Sequence, residues 1–503
     1  MRVFLRLTLA ISLLFLALSP RGVLADGFEE VEGKVVTHTL DNGLRVIILE
    51  RHIAPVASFL TVVRVGSVDE RPGITGIAHL FEHMAFKGTD TIGTTDYEKE
   101  MVAIQKVDEA YAALIKAKDR GEDEEKIEAL QAEFKKLQDE ASEFVVGEFD
   151  EVLQVNGGAG LNASTSSDRT MYVVSLPSNR VELWAALESE RFLNPVLREF
   201  YKERDVVQEE RRLRTDSSPF GRFREEFIAA AFRAHPYGWP VVGHMSDIQT
   251  VTREEGLEFY SKYYVASNMI VAIVGDVNPQ EVIPIVEKYF GRLPKRPPPG
   301  RVETVEPPQR GERTVILEDP AQPLYAVGYH KPDAKHPDDI VFDVMSEILS
   351  SGRTSRLYKS LVKEQKIAVQ VFSFSGSPGN RYPNLFGAYG VPASGFTADD
   401  VEKGILAEIE RLKNEPVTAE ELQKVKTRSR ASVIRGLRSN MGMARNLAFF
   451  EDVTGDWKNL FRQVEKIDQL TPEDIQRVAR KYLVRKNRTT AKLVTTREDQ
   501  PSE

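Results

Sequence analysis

The 503-residue chain contains no cysteine. Disulfides, thiolate metal clusters and cysteine nucleophiles are therefore excluded, and only His, Asp and Glu remain to hold a metal ion. Positive charge is not in excess either. Sixty-seven Lys and Arg stand against 76 Asp and Glu, a net charge of −9, so no general nucleic-acid-binding surface is expected. Long apolar runs are nearly absent. The clearest, Leu7 to Leu18, follows Arg2 and Arg6 and leads to small residues ending at Ala25, which is the pattern of a secretory signal peptide over residues 1–25. An uncleaved anchor is the alternative, but the run falls short of the ~20 apolar residues of a membrane span. Cleavage removes Arg2, Arg6 and Arg21 and takes the net charge to −12. The mature protein is expected to be exported, periplasmic or secreted, with no integral membrane span and, lacking a cysteine after the run, no lipoprotein anchor.

What is present points to more than one core. Hydrophobic residues make up 41% of the chain, and a chain of this length exceeds a single ordinary domain. Strand patterns at Val35–Glu50 (around the Asp41-Asn42-Gly43 turn) and Ala57–Val65 precede a helix beginning at Gly76. Leu161–Leu176 reads as a strand pair, with helices near 181–192 and 198–214, a strand at 269–274 and a helix at 279–290. Between Gly291 and Gly311 lie six prolines without apolar periodicity, a linker. Beyond it the order of strands at 314–317 and 325–329, a helix at 338–349, further helices and a closing strand at 489–494 resembles the first half. The expected fold is α+β, with two homologous domains, each an antiparallel-rich sheet packed with helices. Residues 26–290 form the first domain, 291–313 the linker and 314–503 the second domain.

One segment departs from this plan. Tyr97 to Phe144 is highly charged, with Ile127, Leu130, Phe134, Leu137, Ala141 and Phe144 at helical spacing and a less regular stripe at Met101, Ile104, Tyr111 and Ile115. It reads as a helical hairpin, about 97–145, packed on its own stripe; a docking arm for a partner is the alternative, and the family resemblance described below implies that it is an inserted helical hairpin.

The chemistry is concentrated in His79-Leu80-Phe81-Glu82-His83. Only eight histidines occur in the chain, and a His-x-x-Glu-His pentad arises by chance in about one such sequence in a hundred. Residues four apart on a helix share a face, so His79 and His83 can share a zinc ion at roughly 2.0–2.1 Å. Glu82 sits beside that metal without needing to bind it, placed to take a proton from water. Neighbouring Ile77, Leu80 and Phe81 make the face half-buried, an expensive place for idle polar groups. A third ligand is required, and the helix from Glu199 to Arg214 offers Glu199, Glu203, Glu209 and Glu210. Spacing does not choose Glu210 over Glu209.

The pentad with its flanks, Gly66-Ser67-Val68-Asp69-Glu70 and His83-Met84-Ala85-Phe86-Lys87-Gly88-Thr89, resembles the pitrilysin/insulinase family of zinc peptidases, nearest the short bacterial members and the mitochondrial processing peptidases. Leu161–Ser166, Glu203-Arg204-Asp205-Val206-Val207, His235-Pro236-Tyr237-Gly238 and Ser355-Arg356-Leu357-Tyr358 fit the same family, over about Thr37 to Val494. The resemblance implies one zinc per chain on His79, His83 and Glu210, with Glu82 as catalytic general base and Glu203 supporting the site behind the ligands. It also implies that the strand carrying Asn162, Ala163 and Ser164 receives the substrate as an added strand.

The match has gaps. Val362 and Val369 stand where many relatives carry an Arg and a Tyr that hold substrate, and Asp343, Ser346 and Glu347 stand where a second zinc motif would fall. The second domain is thus expected to be non-catalytic. In two-subunit relatives one chain supplies zinc and the other the Arg/Tyr pair, which implies a heterodimer with a homologous subunit; a homodimer is the alternative. The expected function is an exported zinc endopeptidase acting on peptides or unfolded polypeptide. Its rival is a non-catalytic, chaperone-like peptide-binding subunit that keeps the zinc. A solute-binding protein would share the two lobes but gives no reason for a zinc triad.

Overall fold

The computed structural model describes residues 30–147 and 149–496; residues 1–25, expected to be a signal peptide, lie outside them. The first sheet contains β1 (Val35–Thr39), β2 (Arg45–Glu50), β3 (Val56–Val63), β4 (Ala159–Thr165), β5 (Thr170–Pro177) and β6 (Met269–Gly275), in the order β1-β2-β6-β3-β5-β4. The second contains β7 (Arg313–Asp319), β8 (Leu324–Lys331), β9 (Ala368–Ser377), β10 (Asn384–Pro392) and β11 (Arg488–Thr495), in the order β7-β11-β8-β10-β9. In the first, β2 and β6 are parallel and every other pair is antiparallel. In the second, only β7 and β11 are parallel. The run β2-β6-β3-β5-β4 is therefore repeated, strand for strand and direction for direction, as β7-β11-β8-β10-β9. The expected α+β architecture with two related sheets is the one that forms.

The first half carries the helices α1 (Ile77–Met84), α2 (Tyr97–Asp119), α3 (Glu124–Ser142), α4 (Phe149–Val155), α5 (Val181–Leu193), α6 (Phe200–Arg211), α7 (Pro219–Ala231), α8 (Met245–Thr250), α9 (Arg253–Tyr263) and α10 (Pro279–Phe290). The second half carries α11 (Asp339–Ser350), α12 (Ala398–Asn414), α13 (Ala419–Gly436), α14 (Asn440–Thr454), α15 (Asn459–Gln469) and α16 (Pro472–Tyr482). The halves exchange helices. Met443 and Leu447 of α14, with Phe461 of α15, bury against Ile47, Leu60 and Ala272 of the first sheet. In return, Phe223 and Phe227 of α7 bury against Ala326, Leu385 and Ala491 of the second. A Cβ at Gly328 would stand 2.8 Å from the Phe227 ring, so this glycine makes room for the exchanged helix. Each sheet would expose an apolar face without the opposite half, and the hydrophobic effect locks the two together.

The charged segment does form a hairpin, and its buried face corrects the expected stripe. Glu100, Ile104, Val107, Tyr111, Leu114 and Ala117 are the buried residues of α2, while Phe134 is the buried residue of α3. Val107 and Leu114 belong to the stripe, and Met101 and Ile115 flank it half-buried. The hairpin packs on itself and also on α6. The Tyr111 ring lies 4.5 Å from that of Tyr201 and 5.4 Å from that of Phe134.

An ion pair ties the hairpin base to the chain just before α6. Arg198 donates to Glu100 at 2.7 and 3.1 Å and to the carbonyls of Thr89 (2.7 Å), Ile92 (3.0 Å) and Lys87. Both side chains are 1% exposed. Arg198→Met should lower stability by about 3–5 kcal/mol, because it strands a buried carboxylate. Adding Glu100→Leu should recover part of the loss. Denaturant unfolding checks both, and a single variant as stable as wild type would mean that Glu100 is solvated after the change.

Candidate metal centre

The site is built where α1 crosses α6 beneath the β4 edge. Gly76 precedes α1 with φ 90°, a left-handed conformation natural to glycine. The buried Glu70 carboxylate accepts from the N–H groups of Gly76 and Ala78, both at 2.9 Å, and so closes the helix N-terminus. Ile77, Leu80, Phe81 and Met84 anchor the helix in the core. That fixes His79, Glu82 and His83 on its remaining face.

Glu210, in the last turn of α6, completes a cluster. Its Oε2 lies 3.5 Å from Nε2 of His79 and 3.5 Å from Nε2 of His83, and one ligand atom from each of the three falls within 4.8 Å of the others. In a tetrahedral zinc site with bonds of about 2.0–2.1 Å, ligand atoms lie about 3.4 Å apart. Two imidazoles and one carboxylate at these separations fit zinc and leave a coordination position open. Burial, with the charges of His83 and Arg214, pushes the His79 pKa down to about 3, keeping its ring in the neutral form that binds metal. For His83 burial acts in the same direction, but hydrogen bonding and charge from Glu203, with Glu210 and Glu82, raise it overall.

Glu203 lies one side-chain layer behind. Its Oε2 meets Nδ1 of His83 at 3.3 Å and its Oε1 meets Lys87 Nζ at 2.7 Å. Burial opposes its ionisation, yet His83 and Lys87 bring its pKa down to about 2. A carboxylate in this position fixes the orientation of a ligating imidazole. His79 Nδ1 is buried and has no hydrogen-bond partner among the described residues; its ring is set edge-on to His83 at 5.0 Å.

Glu82 stands outside the three-donor group. Thr165 Oγ1, at the end of β4, donates to its Oε2 at 2.5 Å. Burial raises the Glu82 pKa, with Thr165 and His83 acting against that rise, toward the range useful to a proton acceptor.

Asn162, Ala163 and Ser164 lie on β4, which among the described residues pairs with β5 alone and has no strand on its other edge. Asn162 and Ser164 are exposed, and Ala163 is half-buried toward the core. Three neighbours of the site went unread in the sequence: Thr165 on Glu82, Lys87 between Glu199 and Glu203, and Arg214, which pairs with Glu210 Oε1. Arg214 lies four residues after Glu210, a spacing that favours such a pair. Thr165 and Lys87 lie within the stretches that resemble the family, but spacing assigns neither of them a partner.

Comparison with known proteins agrees with this geometry. The family described as Insulinase (Peptidase family M16) matches residues 45–113 and 134–244, and the Peptidase M16 inactive domain matches residues 250–429. The unmatched stretch between the first two is the tip of the α2–α3 hairpin, so the family pattern reaches into both of its stems. The chain is 32% identical over 452 residues to a protein of Helicobacter pylori named zinc protease PqqE, covering 88% of this chain and 89% of that one. It is 26% identical over 463 residues to the probable mitochondrial-processing peptidase subunit beta of Schizosaccharomyces pombe, covering 89% and 88%. The crystal structure of a protease from Helicobacter pylori superposes with a TM-score of 0.77 at 30% identity, over 92% of this chain and 99% of that one. A conserved-fold neighbour at 18% identity, a peptidase M16 inactive domain from Pseudomonas fluorescens, has a TM-score of 0.73 and covers 93% and 100%. The chain belongs to the insulinase family of peptidases, family M16.

Proposed function

We propose that the protein is an exported zinc endopeptidase that cleaves peptides or unfolded polypeptide segments. His79, His83 and Glu210 hold one zinc ion per chain, Glu203 steadies His83, and Glu82 is the general base. The observation that carries this reading is the position of Glu82: beside the three-donor cluster, outside it, and aimed by Thr165. A purely structural metal site has no use for such a group. Zinc, when bound, supplies Lewis acidity toward a carbonyl and lowers the pKa of water. Glu82 accepts the proton of the attacking water and returns it to the leaving amine. The free edge of β4 at Asn162–Ser164 takes the substrate backbone as an added strand, a mode that tolerates many sequences because main-chain groups make the pairing. Zinc-loaded protein should cut an unstructured peptide, stop on chelation and recover when zinc is returned. Protein that binds peptide and zinc but never cuts, alone or with a co-purifying partner, would favour the chaperone-like reading instead.

We further propose that the working unit is a heterodimer with a homologous subunit. Val362 is half-buried against the second core and Val369 is 56% exposed at the start of β9, so neither position offers a polar anchor for a substrate carbonyl. A misplacement of about 1 Å can cost up to a hundredfold in rate. Peptide cleavage by the isolated chain should therefore be slow and should rise, up to about a hundredfold, when a homologous partner is added. Homodimers that cut as fast as any mixture would sink the claim and leave anchoring to groups such as Arg353 or Arg356. Arg356 is already held by Glu421 at 2.7 and 2.9 Å, which argues against it.

A further inference from the structure

The turn that follows β4 carries a buried acid that the chemistry above does not use. Thr165, which aims Glu82, is the last residue of β4, and Ser166 to Arg169 turn the chain into β5. Asp168, within this turn, is 2% exposed. A carboxylate taken this far from water is costly unless hydrogen bonds replace its hydration. Tyr237 Oη donates to its Oδ1 at 2.5 Å, and the N–H groups of Asn380 and Arg381 donate to its Oδ2 at 2.6 and 3.1 Å. Asn380 and Arg381 belong to the loop 378–383 between β9 and β10, in the second half. Among the described residues, two of the three hydrogen-bond donors to the Asp168 carboxylate thus come from the half that holds none of the three metal donors.

The loop closes on the turn through further contacts. Tyr237 Oη also accepts from the N–H groups of Arg381 at 3.1 Å and Tyr382 at 3.2 Å. The Arg381 guanidinium donates to the carbonyl of Asp168 and, at 3.3 Å, to that of Arg64. The carboxylates of Asp69 and Asp452 lie 3.6 and 3.7 Å from it. A Cβ at Gly379 would stand 2.5 Å from Tyr237 Oη and 2.6 Å from Asp168 Oδ2, so glycine is what lets the loop come this near. Within the first half, the chain ahead of α1 holds the same turn: the N–H groups of Ser67 and Val68 donate to the carbonyls of Ser166 and Ser167 at 3.3 and 3.0 Å. Releasing Asp168 would strand a buried charge, so the turn is held in the one conformation that satisfies both halves.

We propose that Asp168 is a positioning residue, through which the second half holds the β4–β5 turn and so sets Thr165, and the Glu82 carboxylate bonded to it, against the metal cluster. This rests on the peptidase reading above. Thr165 immediately precedes the turn, and its hydroxyl lies 2.5 Å from Glu82 Oε2, so a shift of the turn carries that donor with it. The half without metal donors thereby acts on the proton acceptor of the other. Tyr237, in the His235-Pro236-Tyr237-Gly238 segment, is the hydroxyl that joins the two.

The test removes that hydroxyl. Tyr237→Phe in the zinc-loaded full chain should keep its zinc and hydrolyse an unstructured peptide with kcat lowered about tenfold, the scale of a displacement below 1 Å. Arg381→Lys, which keeps the buried positive charge but cannot reach both carbonyls, should lower kcat in the same sense and serves if Tyr237→Phe does not fold. In a Thr165→Val background, where Glu82 has already lost its donor, either change should cost less than about twofold further in kcat. Damage spread through the fold would instead multiply with the loss from Thr165→Val. Amide hydrogen exchange on the same proteins should quicken about tenfold over residues 165–170 and stay at the wild-type rate over α1. Should wild type cut no peptide, the peptidase reading falls and the exchange result alone decides whether the second half holds the turn. Wild-type exchange at 165–170 in the variants, or losses of kcat that multiply with that of Thr165→Val, would overturn the proposal.

Discussion

Glu82→Gln is expected to retain a full complement of zinc and to hydrolyse an unstructured peptide about 10²- to 10⁴-fold more slowly than wild type. The amide keeps an oxygen able to accept the Thr165 hydroxyl now 2.5 Å from the carboxylate, so the side chain stays in place and β4 keeps its hold on the site. What disappears is a basic oxygen pair beside the metal. Glu82 is absent from the three-donor group, so metal content should be unchanged and the loss should fall on kcat. The measurement is turnover at saturating peptide on protein whose zinc content has been determined in the same preparation. Turnover close to wild type would reject Glu82 as the base and move attention to another proton acceptor. Loss of zinc together with activity would make Glu82 a ligand, contrary to the geometry.

The face of α1 that carries both histidines was legible because two constraints coincide there. Helical spacing puts His79 and His83 together, and the apolar residues between them dictate which face turns inward. The paired sheets were legible for the same reason, through alternation and the six-proline linker. The strands and helices that escaped notice are those whose local signal is overridden by tertiary packing. β10 carries Gly387 and Gly390, poor strand formers, yet a Cβ at Gly387 would stand 2.0 Å from the Val327 carbonyl oxygen, so close approach of β8 demands the glycine. β9 alternates Val371, Ser373 and Ser375 on the side facing α11, where Ser373 bonds to Ser346 at 2.9 Å and Ser350 at 2.7 Å. This polar seam carries no apolar period. α7 and α14 cover the sheet of the opposite half, and no reading along the chain reports a partner more than a hundred residues away. Thr165 was hidden in the same manner: its role exists only once β4 lies over α1.

Glu210→Ala should weaken zinc binding by more than about a hundredfold, whereas Glu209→Ala should leave it at the wild-type level. Changes behind the ligands already cost about 10–100-fold in metal affinity, and removing a ligand costs more. Sequence spacing could not separate these neighbours, but successive residues on a helix point about 100° apart, and the structure resolves which one faces inward. The Glu210 side chain is 16% exposed, with Oε2 3.5 Å from both imidazoles and Oε1 held by Arg214. The Glu209 side chain is 64% exposed and pairs with Arg212 on the outer surface. Competition against a chromophoric chelator gives the affinities, and unfolding temperature supplies an independent reading. Because a ligand that binds only the folded state stabilises it in proportion to its affinity, added zinc should raise the unfolding temperature of wild type and Glu209→Ala but scarcely that of Glu210→Ala. His79→Ala and His83→Ala should behave like Glu210→Ala in both measurements. The opposite pattern, metal lost in Glu209→Ala and kept in Glu210→Ala, would mean that α6 is turned by about 100° from the orientation described, and would displace Glu203 from His83 as well.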